Sequence, residues 1–571
     1  MSATLYFSNS PAVLLERLSG NLNWEDPFLS PNIATPTAAM KRWVQLRLAE
    51  ARGIVANVNF QHLERTLWKR LEELDQEHVV DFRKPARLLD EQGLQLLILG
   101  MLRLNPPDEV RRYLGEAGDS VPNDALSTRR LTQLSLKLAG FFREYEYSRV
   151  HEHGREGLAY LWKQGRNCFL DYLDNSANRS SRAAWKRKEV ERLERWQKAL
   201  YHALFREGGL RDALGAKTGQ YAFTLPQYAE MVLAQRRAPP APGRGERRAP
   251  TYHLFGLSQI SPFHRSLIRR LSDAEQLPGR QARFFIYSLN PCAEYWEDAL
   301  SPGERRFRQQ ADMFRQQKYQ DWRRLSEGEK QKLKVEDARI QEEDLKLEEE
   351  NPPLALWGKP GRENVQLWLQ LTDYDFFGHF REAPGTSLLA AVQNAILGRR
   401  GALPPEERPR QDDSLQILAC PEIHREVETV HQGIVDALVA DPELRPDEIA
   451  VLVPDMGKYR EVLTAVFGLT REGDPGHVPY NLSDAAASAE SDYAKAVAGL
   501  FALARGKFSR KELFSLASNP AFRGGLGVDE SLLKTWGKWA GRLNIFHGFD
   551  REDRRGRGYC AEPQHTWSHG L

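Results

Sequence analysis

Residues 251–271 read TYHLFGLSQISPFHRSLIRRL. Residues 251–257 run aromatic and apolar without a charge, which predicts a buried strand. Ser261 is a preferred helix N-cap, and Pro262 suits the first helical position, where a missing N–H costs nothing. Phe263, Leu267, Ile268 and Leu271 then recur on one helical face. The stretch is a strand–turn–helix unit of an α/β sheet, and such sheets hold ligands at the carboxyl ends of their strands. The turn here, Gly256-Leu257-Ser258-Gln259-Ile260, contains no acid.

Working outward, the chain has 571 residues, enough for roughly three or four domains of ~150 residues each. No run of about 18 apolar residues is present, so no membrane span is expected. Met1-Ser2-Ala3-Thr4-Leu5 lacks a basic segment before an apolar core, so no signal peptide is read. Cys168, Cys292, Cys420 and Cys560 are scattered without a Cys-x-x-Cys pair. That argues against zinc and disulfides and suits a reducing, cytoplasmic setting. Lys plus Arg is 80 against 78 for Asp plus Glu, a net charge of +2. Any nucleic-acid binding must therefore come from local patches.

Strands are expected at residues 5–7, 32–35, 54–59, 251–257 and 283–289, and helices at 37–51 and after Pro11 and Asn290. Closely spaced β-α units of this kind imply a mostly parallel sheet with helices on its faces. The strand pattern disappears from about residue 60 to 207, where 88–104, 129–147 and 189–204 read as helices. The expected plan is a first α/β domain from 1–60 and 208–396, interrupted by a helical subdomain at 61–207. Residues 303–350 are charge-dense and read as a solvated helical insertion or a partner-docking arm. Residues 397–413, Pro- and charge-rich, form the best linker. A second α/β domain is expected over 414–571, with strands at 415–420, 449–453 and 478–482. It ends without a polar tail or closing cap, and the chain is expected to be cut there.

Catalytic patterns are missing. A phosphate loop needs G-x-x-x-x-G-K-[ST], so that backbone N–H groups wrap the phosphates. Gly506-Lys507 is followed by Phe508, and Gly358-Lys359 by Pro360. No His-Glu-x-x-His and no Gly-x-Ser-x-Gly occurs, and His424 and His431 read as surface or core residues. Aromatic and basic residues interleave in the N-terminal third, at Arg42, Trp43, Trp68, Arg143, Tyr145 and Arg149. Stacking with phosphate pairing is how single strands are held, although aromatics at helical spacing are more often core.

Residues 351–362, NPPLALWGKPGR, resemble the N-P-L-L-x-x-W-G-x-x-G-R motif of the RecC family, the gamma subunit of exodeoxyribonuclease V. Other matching stretches follow in family order: Tyr6-Phe7-Ser8-Asn9, Asp26-Pro27-Phe28, Met40-Lys41-Arg42-Trp43, and Gly53-Ile54-Val55-Ala56-Asn57. Asn290-Pro291-Cys292-Ala293-Glu294-Tyr295-Trp296, Arg425-Glu426-Val427-Glu428 and Gln564-His565-Thr566-Trp567 complete the set. Family members continue beyond the position of Leu571, so the resemblance implies an N-terminal part or a truncated form.

The resemblance implies an α/β fold like a degenerate superfamily-one helicase: RecA-like parallel sheet domains with an inserted helical subdomain. It implies assembly with RecB-type and RecD-type subunits on double-stranded DNA ends. RecC-type subunits split the strands and scan single-stranded DNA for the Chi signal in double-strand break repair and recombination. Where a helicase has its phosphate loop, this chain has Ser8, Asn9, Ser10 and Pro11. Where a helicase has Asp-Glu for magnesium, it has Gly256 and Leu257. Where an Arg commonly reaches the nucleotide, it has Pro454 and Asp455. None of these supplies the charge or backbone cradle that ATP needs. The chain is thus expected to be ATPase-inactive, and the resemblance implies that it is nuclease-inactive too, with ATP and magnesium used by partner subunits and no catalytic residue or metal of its own. Carried over from the family's DNA channel, Thr37, Arg42, Trp68, Arg143, Glu144 and Arg149 are the candidate contacts. The competing expectation is a scaffold that docks the motor subunits without reading DNA. An active helicase is disfavoured by the missing phosphate loop.

Overall fold

In the computed structural model, residues 3–570 are described except 25–27, 29, 77–85, 115–124, 148–160, 163–164, 168, 170–182, 235–248, 276, 302, 306–349, 373–375, 402–411, 471–472, 475, 483–490 and 557. Nearly all of the charged insertion and Arg149 therefore lie outside the described residues. Two compact units are present, Met1–Leu415 and Gln416–Leu571.

The first unit is built on a parallel sheet. Its strands are β1 (Ala3–Ser8), β2 (Asn32–Ala34), β3 (Asn59–Gln61), β6 (Thr251–Phe255), β7 (Arg283–Leu289) and β8 (Phe376–Gly378), in the order β3-β2-β6-β7-β1-β8. Every recorded pairing between them is parallel. β4 (Ala86–Leu88) and β5 (Tyr221–Phe223) make a separate parallel pair. The helices of this unit, in chain order, are α1 (Pro11–Asn21), α2 (Ala38–Arg52), α3 (Leu63–Gln76), α4 (Glu91–Leu104), α5 (Asp108–Leu114), α6 (Ala125–Tyr147) and α7 (Ala183–Phe205). They continue with α8 (Leu210–Thr218), α9 (Leu225–Leu233), α10 (Pro262–Ser272), α11 (Pro352–Trp357), α12 (Lys359–Leu369) and α13 (Leu388–Leu397).

Successive residues of β6 face opposite layers. Tyr252 and Leu254 join a core with Leu5, Phe284, Ile286, Leu67 and Leu71, whereas Phe255 joins another with Leu14, Leu18, Val44, Leu48 and Tyr287. A strand covered on both faces has no polar side, which is why residues 251–257 read as an unbroken apolar run. The helix that follows starts as its residues predict. The Ser261 hydroxyl accepts from the His264 N–H, and His264 Nδ1 receives the Ser261 N–H, a capping box closed by histidine. Phe263, Leu267, Ile268 and Leu271 are buried.

Several expectations need correction. The strand expected at 54–59 forms later, as β3, because Asn57 takes a left-handed conformation (φ 55°) that stops a ladder from running through it. Asn290 caps no helix. Its side-chain oxygen accepts from the Cys292 N–H and from Trp296 Nε1 and closes a turn. β4, β5 and β8 are three-residue strands, too short to show a periodicity.

The second unit departs further. Its helices include α14 (Ile423–Ala440) and α15 (Met456–Phe467), whose apolar faces meet around Val427, Ile434, Leu463 and Phe467. Residues 415–420, 449–453 and 478–482 join no ladder, and no strand is found among the described residues of this unit. Ile449, Val453 and Leu482 pack on the helices, but Ile417 and Leu452 are 94% and 92% exposed. A short apolar run without a neighbouring strand to pair with does not make a ladder, so the apolar residues alone overstated these segments as strands. No helix among the described residues is long and apolar enough to cross a membrane.

Inside the sheet, His253 stacks on Phe285 at 5.3 Å and its Nδ1 lies 3.2 Å from the Tyr287 hydroxyl. Burial lowers its pKa from 6.5 to about 4. The folded value lies below the unfolded one, so the stability held by neutral His253 is complete above pH 6.5 and is lost as pH falls toward 4. A depression of that size is worth about 3 kcal/mol. Thermal unfolding of the chain should therefore shift to lower temperature between neutral pH and about pH 5. His253→Phe should flatten that dependence, and an unchanged pH slope would contradict the assignment.

Candidate nucleic-acid interface

Parallel strands end together, so the sheet presents one carboxyl edge. After β1, Ser8 is buried and its hydroxyl accepts from the Ser10 N–H. Asn9 is held twice: its Nδ2 donates to the Arg381 carbonyl at 2.7 Å, and the Arg381 N–H donates to its Oδ1 at 3.0 Å. Ser10 precedes α1 without a side-chain cap bond. The chain's own segment after β8 thus lies against the turn where a phosphate loop would open. After β6, Gly256 is left-handed (φ 68°), and an added Cβ would lie 3.3 Å from the Met40 methyl of α2. The Leu257 carbonyl accepts from Asn364 Nδ2. In the second unit, Pro454 is exposed and Asp455 caps α15 through the Gly457 N–H.

The motif residues are largely framework. Asn351 caps α11 and donates through Nδ2 to the Arg400 carbonyl. At Gly358 a Cβ would stand 2.7 Å from the Trp296 ring and closer still to the Leu354 carbonyl, so only glycine fits. Arg362, 2% exposed, donates to the Ala299 carbonyl and to Glu304 at 2.8 Å. Burial pushes the Glu304 carboxyl up, but the Ser301 N–H and Arg362 outweigh it and hold it at about 2. Arg399 donates to both Glu350 oxygens and to Asp298. Trp357, by contrast, is 79% exposed.

The candidate contacts are dispersed. Thr37 caps α2 by accepting from the Met40 N–H, and Arg42 is exposed on the same helix. Trp68 is buried: its ring stacks on Tyr228 at 4.2 Å and its Nε1 donates to Glu72 at 2.6 Å. Arg143 pairs with Glu64 at 2.7 Å and Glu91 at 3.5 Å and lies 5.4 Å from the Tyr147 ring. Tyr147 in turn meets Phe263 and His264 of α10. Arg143 therefore ties α6 to α3 and α4, and through Tyr147 to the helix that follows β6. Glu144 is exposed.

An open cavity of about 400 Å³ is lined by Gln61, His62, Arg65, Trp68, Lys69 and Glu72. Arg65 and Lys69 stand one helical turn apart on the exposed side of α3, and neither pairs with a carboxylate among the described residues. Sequence reasoning missed both. The available signal was their i, i+4 spacing directly after the polar run Asn57, Asn59 and Gln61. Trp68 and Arg65 share this cavity; Thr37, Arg42, Arg143 and Glu144 do not line it.

The framework reading gives a contrast. Arg362→Ala would strip the Ala299 carbonyl and the Glu304 carboxylate of a buried charged donor and should cost about 3 kcal/mol in denaturant unfolding. Lys359→Ala, which removes a largely exposed cation 3.4 Å from the same carboxylate, should cost less than about 1 kcal/mol. Equal losses would contradict it.

Comparison with known proteins follows the same division. Residues 490–571 match the RecBCD enzyme subunit RecC fourth domain. The RecBCD enzyme subunit RecC of Haemophilus influenzae is 25% identical over 549 residues, covering 93% of this chain and 45% of that protein. That of Escherichia coli K12 is 25% identical over 592 residues, covering 99% and 47%. That of Mycolicibacterium smegmatis is 32% identical over 237 residues, covering 39% and 21%. The chain spans about half the length of the first two relatives. Residues 4–399, well over half of the chain, match the RecC N-terminal domain, and the chain belongs to the RecC family.

Proposed function

We propose that this chain is a non-catalytic, DNA-guiding part of a RecBCD-type helicase–nuclease, acting in double-strand break repair and recombination. It would split duplex ends, lead a single strand along its surface and scan it for Chi, beside RecB-type and RecD-type subunits in the cytoplasm. The observation that carries this reading is the cavity beside β3, where Arg65 and Lys69 stand without carboxylate partners among the described residues, in a chain of nearly balanced charge. Cations left unpaired are available to phosphates, and each one engaged releases counterions. Ligands of α/β sheets gather at the carboxyl edge, and Gln61 and His62 stand at that end of β3.

The same edge supports the absence of a motor. Asn9 is bonded to Arg381 and Met40 packs over Gly256, so the chain itself covers the ends of β1 and β6. ATP and magnesium would belong to the partner subunits.

A docking scaffold that does not read DNA is the second reading. It is favoured by Trp357, whose ring is exposed beside the buried Leu354 and Ala355 of the same motif. Loss of RecB-type or RecD-type subunits from Trp357→Ala, with single-strand binding retained, would favour it.

For the assembled complex, Arg65→Ala with Lys69→Ala should weaken capture of single-stranded DNA. The slope of log affinity against log salt should fall by about 1.4. An unchanged slope would remove the cavity from the DNA path. The purified chain should release no phosphate from ATP above background. Turnover abolished by altering a residue within this chain would overturn the non-motor assignment.

A further inference from the structure

A second open cavity, of about 460 Å³, adjoins the first and shares Lys69 with it. Its other walls are Ser30, Asn32, Asn57, Val58 and Asn59. The two cavities are joined by a row of amides across β2 and β3. Asn59 Nδ2 donates to Asn32 Oδ1 at 2.7 Å, and Gln61 Nε2 donates to Asn59 Oδ1 at 3.2 Å. Ser30 donates to Asn57 Oδ1 at 2.5 Å beside them. Asn59 and Gln61, two apart on one strand, lie on the same side of it.

The row orients its members without exhausting them. An amide carries two N–H donors and an oxygen with two lone pairs. The Asn32 amide N–H groups, the second N–H of Asn59 and the Gln61 oxygen keep capacity for a ligand. That leaves donors and acceptors side by side, with one ammonium and no carboxylate in the second cavity. A bare anion such as phosphate accepts only and would leave the Gln61 oxygen unused. A nucleotide matches the set: its base edge offers both donor and acceptor, and its phosphate suits Lys69. Asn and Gln amides pair in two-bond fashion with adenine, through its N6 donor and N7 acceptor.

We infer that Asn32, Asn59 and Gln61, with Lys69, form a base-reading subsite for single-stranded DNA, adenine being the best complement. It rests on the DNA-guiding reading above and adds a division of labour. Arg65 and Lys69 hold the backbone, and the amides at the β2–β3 edge contact an unstacked base. Because the amides are cross-bonded, they are fixed before the strand arrives, and little side-chain freedom is lost on binding.

The test compares two oligomers on the full chain: a deoxythymidine oligomer with three central deoxyadenosines, and the same oligomer with three abasic sites. The wild-type chain should prefer the first. Asn59→Leu should reduce that preference by about tenfold, as expected for one lost two-bond pair. Gln61→Leu, which breaks no bond between strands, should do the same and separates recognition from folding. Lys69→Gln should weaken both oligomers alike and leave the preference intact. Equal wild-type affinity for the two oligomers, or a preference that survives both leucine variants, overturns the subsite alone. No wild-type binding to either oligomer would instead overturn the DNA-guiding reading.

Discussion

The Trp296 indole, pressed against Gly358 and tied through Nε1 to Asn290, is the contact on which the first unit's carboxyl edge depends. β7 ends at Leu289, and the N–H of the next residue, Asn290, donates to the Ser8 carbonyl at the end of β1. One asparagine thus ends one strand against its neighbour and orients the indole. Arg362 then closes over the Ala299 carbonyl and Glu304. A buried guanidinium is costly unless its donors are satisfied, and here the backbone and Glu304 satisfy it. The two motifs that place the chain in its family, at residues 290–296 and 351–362, interlock for packing reasons.

That frame has a consequence for chemistry. A parallel sheet buried on both faces can offer a ligand only the ends of its strands. Those ends are used here by the protein itself. Asn9 exchanges two hydrogen bonds with Arg381, and the left-handed Gly256 lies under Met40. The polar and charged surface left over lies at the edge strand β3 and along α3. Arg143 serves a different end: paired with Glu64 and Glu91, it ties α6 to α3 and α4.

The strand–turn–helix of residues 251–271 was legible because each signal in it is local. Apolar continuity, a serine cap, a proline after it and a 3.6-residue repeat all act within a few residues. The same reading shifted β3, because a left-handed Asn57 leaves no trace in hydrophobicity. It overstated three strands of the second unit, because a short apolar run does not report the neighbour that a ladder requires. Trp68 looked like a stacking platform. Only packing shows that Tyr228 already occupies its face.

What the sequence by itself determined is the class of the fold, the missing phosphate loop and family membership, since each rests on residue types in fixed order. Only the tertiary structure decided which motif residues are structural and which cations meet carboxylates among the described residues. Arg143 and Lys69 are both exposed-type residues on helices, and nothing local distinguishes them. One meets carboxylates from two other helices, and the other lines a cavity together with amides from two strands. Charge pairing across long sequence separations depends on where the backbone brings each side chain, and that is settled only by packing.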